Sequence, residues 1–212
     1  MKTMNKFRDD YLEENENFYT NLISALEMLS SLKKELKKFK IDIEEKPWYE
    51  NILKIHVPNA IEFYKRCKCP DFDFEAENDK WIRSDFKSFM SEVEKFTKFV
   101  VKTILKIDDN MGFNESINKL DIIIQKYQVL FDEKLKWVEC IEEIKNNLHI
   151  WRQNYNENKH DEEKIDDNFF VSKRTGYVLG DSVLEYVPVF LYHVVAPLLN
   201  TLLTILLSDH HI

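Results

Sequence analysis

The sequence predicts an all-α fold: a bundle of three long antiparallel helices with shorter helices and an apolar C-terminal helix. Three observations predict it. Only three glycines (Gly112, Gly176 and Gly180) occur in 212 residues, too few for glycine-dependent turns, dinucleotide-binding loops or phosphate loops. Apolar residues make up 44% of the chain and include 15 Phe, 9 Tyr and 4 Trp, enough bulky material for a buried core. Most informative is the spacing of those residues, which steps alternately by four and three over long stretches and so keeps one seam against neighbouring helices.

The first seam is Phe18, Leu22, Ala25, Leu29, Leu32, Leu36 and Phe39, within a helix expected over residues 5–40. Such a helix would be about 50 Å long. Pro47 ends it, because proline disfavours the helical conformation in the residue before it. Two shorter apolar segments follow, "WYENILKIHV" and "PNAIEFYKRC", with Pro58 placed where a helix restarts. "CPDFDFEAEND" reads as an acidic loop. A second long helix is expected over 75–107, on Ile82, Phe86, Phe89, Val93, Phe96, Val100 and Ile107, with Thr103 in the one polar slot. "DDNMGFNES" is a turn, with Asn114 as N-cap. The third long helix is expected over 115–155 on Ile117, Leu120, Ile124, Tyr127, Phe131, Leu135, Val138, Ile141, Ile144, Leu148 and Trp151. The whole of 1–212 reads as one helical domain, with a polar linker at 156–175 and an apolar helix at 176–207.

That last segment has two readings. From Val187 to Leu207 there are 21 residues without a formal charge, enough to cross a hydrocarbon core of about 30 Å. A tail-anchored membrane protein with a cytosolic N-terminal domain would look like this. Against it, Glu185, His193 and Asn200 fall on one stripe with Ala196 between them. A core helix with a narrow polar edge explains that stripe better than a lipid-facing one. Pro188 is placed to start this helix and Pro197 to kink it. The core reading is the expectation, with membrane contact through 187–207 as the alternative.

Charge and cysteine usage narrow the functional classes. A net charge of −8 disfavours generic nucleic-acid binding, which needs a basic surface, though a local patch on RNA stays open. Cys67, Cys69 and Cys140 form no disulfide framework. "MKTMNKFRDDYLEEN" has no apolar core segment, so no signal peptide is expected and the cytoplasm is the expected location. Neither the "CKC" at 67–69 nor the acidic stretch after it has zinc or calcium spacing. No metal or other cofactor is therefore expected.

Two polar clusters are candidate sites. "KKELKKFK" supplies Lys33, Lys34, Lys37, Lys38 and Lys40, as a solvated helix end or as an anion-binding patch. In "NNLHIWRQNYNENKH", His149, Arg152, Asn156 and His160 step by three, four and four and share a helix face. An arginine that holds a phosphate oxygen and histidines that move protons are the parts of a metal-independent ribonuclease. "RQNYNENKH" resembles the signature of HEPN domains, in which an arginine followed by a polar residue precedes a histidine. Here seven residues separate Arg152 from His160. The resemblance implies an all-α ribonuclease of a toxin or antiviral system, with these two residues catalytic. Weighed against it is the leading expectation, a non-enzymatic helical bundle that acts through a protein partner or self-association.

Overall fold

The structure, a computed structural model, describes residues 16–69, 71, 74–160 and 183–209, without the side chains of 74–86, 154, 157–160 and 183–186. Every regular element among them is helical. α1 (Phe18–Lys38) buries Phe18, Leu22, Ala25, Leu29, Leu32 and Leu36, the expected seam except for Phe39, which lies just past the helix and is half-buried. The expected start before residue 16 lies outside the described residues. It closes in a Schellman motif: the Ile41 N–H reaches back to the Leu36 carbonyl at 3.2 Å, with Lys40 left-handed at φ 62°. Glycine usually takes that position because it has no Cβ to clash. In this glycine-poor chain a lysine takes it instead.

Pro47 opens α2 (Pro47–Asn51), where its missing N–H costs nothing. α2 runs on through a π turn (Ile52–His56) into α3 (Val57–Cys67). Pro58 stands in the first turn of α3, as expected, although no break precedes it. In a regular helix the Pro58 ring would strike the carbonyl four residues back. The wider turn, in which the Val57 N–H bonds the Ile52 carbonyl, removes that clash. α4 (Phe74–Leu105) begins inside the segment expected to be an acidic loop. It also ends on a left-handed lysine, Lys106 at φ 55°.

The third long helix is not continuous. α5 (Phe113–Asn118) and α6 (Leu120–Tyr127) are followed by a 3-10 turn (Gln128–Leu130), and only then does α7 (Lys134–His160) begin. α5 starts from Gly112, so Asn114 lies inside the helix and is not its cap. The corner before α7 is closed by the Phe131 and Trp137 rings, stacked at 4.1 Å with an angle of 8°. The Trp137 indole N–H then donates to the Thr201 hydroxyl at 3.0 Å. Turning the chain here moves Leu135 out of the seam, leaving it 75% exposed. α7 continues to His160, so the first residues of the expected linker are helical; the rest of that linker lies outside the described residues.

The C-terminal helix is built from α8 (Val183–Phe190), a second π turn (Leu191–Val195) and α9 (Ala196–Asp209). It starts before Pro188, not at it. The Ala196 N–H bonds the Leu191 carbonyl, again two residues short of a turn that proline would disrupt, here Pro197. Val187, Phe190, Val195, Leu198, Leu199 and Leu202 are all fully buried. Each such side chain contributes about 1.5–3 kcal/mol on leaving water. Phe190 meets Phe89 and Phe96 edge-on at 5.3 and 5.6 Å, and Lys106 pairs with Asp209 at 3.0 Å at the far end. α4 and the C-terminal helix therefore run in the same direction. The long connection through α5 to α7 makes it feasible. α2 and α3 run against α4, with Trp48 on Phe96, Asn51 on Glu92 and His56 on Phe89. α7 runs against the C-terminal helix, touching it at Thr201 through Trp137 and at Phe190 through Trp151.

Candidate functional site

α7 has one apolar stripe, in which Ile141, Ile144, Leu148 and Trp151 are buried, and that stripe orients the rest of the helix. Lys145, His149, Arg152 and Asn156 follow at spacings that place them on one face. His149 and Arg152 are half-buried and Asn156 is exposed. Three of the four residues expected to share a face thus do so; the helix includes His160, whose side chain is not described. Lys145 donates to both carboxylate oxygens of Asp121 at 2.6 Å, tying α7 to α6 with a charge-assisted pair. Burial lowers the His149 pKa from its ordinary value near 6.5, and Lys145 and then Arg152 lower it further, against the opposing pull of Asp121. The imidazole is consequently neutral at pH 7. Lys145 was legible as the residue one turn before His149. Asp121 was not, because it comes from another helix.

The lysine cluster ends up largely neutralised by its own neighbourhood. The turn after α1 folds back so that Lys33 meets Glu44 at 2.8 Å and Lys37 meets Asp42 at 2.8 Å. Lys38 pairs with Glu35 at 2.7 Å. The Lys37 ammonium, and next the Glu44 N–H, hold the Asp42 carboxyl below its usual range. Glu44 and Asp42 raise Lys33 and Lys37 respectively. Lys34 and Lys40 have no ion pair among the described residues. The five lysines do share one helix end, yet the acids of 42–44 occupy much of their charge.

A third place went unnoticed in the sequence. Between α1 and the C-terminal helix lies a groove of about 360 Å³, lined by Asn21, Ser24, Pro188, Val189, Tyr192 and His193. Asn21 and Ser24 are short polar residues flanking the α1 seam, and the π turn opposite displaces Tyr192 and His193 outward. Their rings touch at 5.1 Å, and Tyr192 stays 48% exposed. Among the described residues lining the groove there is no ammonium, guanidinium or carboxylate. His193 and Asn200, two members of the expected polar stripe, are exposed, and Ala196 between them is buried. No cluster of three or more His, Cys, Asp or Glu suited to a metal ion occurs among the described residues.

No family model, curated protein or solved structure matches this chain. What the molecule does must therefore be argued from the groove and the α7 face themselves.

Proposed function

We propose that the chain is a non-enzymatic helical interaction protein whose docking site is the groove between α1 and the C-terminal helix. The described lining of that groove, partly apolar and without a charged side chain, carries the reading. Its volume of about 360 Å³ suits the anchoring side chains of one amphipathic helix from a partner protein, a recurring mode of helix-in-groove recognition. The exposed residues His193, Asn200 and Leu207 extend an uncharged track along the same helix for the rest of such a segment. The test compares wild type with Tyr192→Glu, which puts a charge in the groove without touching the core. Wild type captures a partner, or itself by sedimentation, and the variant at unchanged helix content does not. Partners retained equally by both would sink the proposal.

The site of action is proposed to be the cytoplasm. Val187–Asp209 is long and apolar enough to cross a membrane by length and composition, but over half of it packs inside the protein. That burial supports a core helix over a tail anchor.

A second reading, metal-independent RNA cleavage, is favoured by the shared face of His149, Arg152 and Asn156 and by the faint HEPN resemblance. It requires cleavage without added metal that is lost in His160→Ala; equal cleavage by the variant excludes it.

A further inference from the structure

We propose that the α7 face carrying Lys145, His149 and Arg152 is a binding site for a phosphate monoester dianion. Lys145 and His149 are one turn apart, and Arg152 follows within the next turn, so all three present nitrogen donors to one side. The structure holds Lys145 in place: its ammonium is bonded to both oxygens of Asp121 at 2.6 Å and its side chain is only 23% exposed. Arg152 has no ion pair with a described residue, which leaves its planar fork for two parallel bonds to phosphate oxygens. Asn156 adds an exposed amide one turn further on.

The charge balance selects the ligand. Among the described residues, the charged groups that act on His149 are Lys145 and Arg152 from α7 and Asp121 from α6. Two cations and one carboxylate leave a single net positive charge beside a neutral imidazole. Burial is the main cause that disfavours the imidazolium, and Lys145 and Arg152 add to it. A dianion placed between those two cations opposes their part and itself favours a protonated His149. The imidazole then takes up a proton, so that both ring nitrogens donate, and the site's charge rises to match its ligand. A diester, with one negative charge, offers less reason for that proton. The inference shares Arg152 with the RNA-cleavage reading but not His160, and it holds whether or not RNA is cut.

The experiment follows the imidazole resonances of the full chain by NMR across pH, with and without inorganic phosphate, and His149→Gln identifies the signal. Phosphate is expected to shift the His149 signal saturably and raise its titration midpoint by about one pH unit. Arg152→Gln is expected to weaken phosphate binding by about tenfold or more. Dimethyl phosphate, a monoanionic diester, is expected to bind more weakly and to move the midpoint less. Absence of a saturable shift, equal affinity for dimethyl phosphate, or undiminished binding in a folded Arg152→Gln variant would each overturn the assignment.

Discussion

The C-terminal helix and α7 lie antiparallel and meet where Trp151 approaches Phe190 at 6.0 Å, yet they are written in opposite ways. The C-terminal helix is apolar on almost every side and buries Val187, Phe190, Leu191, Val194, Val195, Leu198, Leu199 and Leu202. Among its described residues a narrow edge, with Tyr192, His193, Asn200 and Leu207, reaches solvent. α7 buries a single stripe and leaves a broad polar face carrying Lys145, His149 and Arg152. Stability is thus concentrated in one helix and recognisable chemistry in the other. A helix surrounded by packing partners has little room for charged side chains, whereas a helix anchored along one stripe can vary its outer face at small cost.

The strongest way to break this comparison is Phe190→Ala. The ring is fully buried among Phe89, Phe96 and Trp151, so truncation costs about 3–5 kcal/mol in denaturant unfolding. Tyr192→Ala, two residues along and 48% exposed, is expected to cost below about 1 kcal/mol; similar losses at both sites would end the contrast. Next in size is Thr201→Val, which removes the acceptor of the Trp137 indole N–H. Stranding that donor is expected to cost about 1–3 kcal/mol, and an unchanged unfolding midpoint would mean that the corner before α7 does not depend on this bond. Lys40→Gly has the opposite sign. Relieving a left-handed lysine at φ 62° is expected to stabilise the chain by about 1 kcal/mol, seen as a raised Tm.

The smallest effects belong to the α7 face. Arg152→Gln is expected to change stability by less than about 0.5 kcal/mol. For His149 the sign follows from its lowered pKa: the folded state disfavours the imidazolium, so its contribution is intact above the ordinary value near 6.5 and is lost as pH falls through the lower folded value. Unfolding midpoints measured across that window should fall less steeply with acid in His149→Gln than in wild type. Equal slopes would mean that His149 titrates as it does in the unfolded chain.

Spacing alone was enough to read α1, the buried part of α4 and the burial of the C-terminal helix, because each keeps one phase from end to end. It failed at Gln128–Leu130, where the chain turns with neither proline nor glycine to mark it. The cause is tertiary: Phe131 stacks on Trp137, which in turn bonds Thr201, 64 residues further on. Proline misled in the other direction. Pro188, expected to open the last helix, lies inside it, whereas Pro58 and Pro197 each follow a π turn that makes room for the ring. The α7 face was legible as periodicity, but its counter-ion Asp121 was not, and the groove required two segments that are some 165 residues apart to be seen together.

The central claim, that residues 183–209 form the core about which the other helices pack, is tested most directly by fractionation. Full-length protein and a chain ending at Asp181 would be expressed side by side and extracted at alkaline pH. Full-length protein is predicted to be soluble and helical by circular dichroism, while the shortened chain aggregates for want of the surface against α1, α4 and α7. Retention of the full-length chain in membranes, with the shortened chain soluble and folded, would contradict the account.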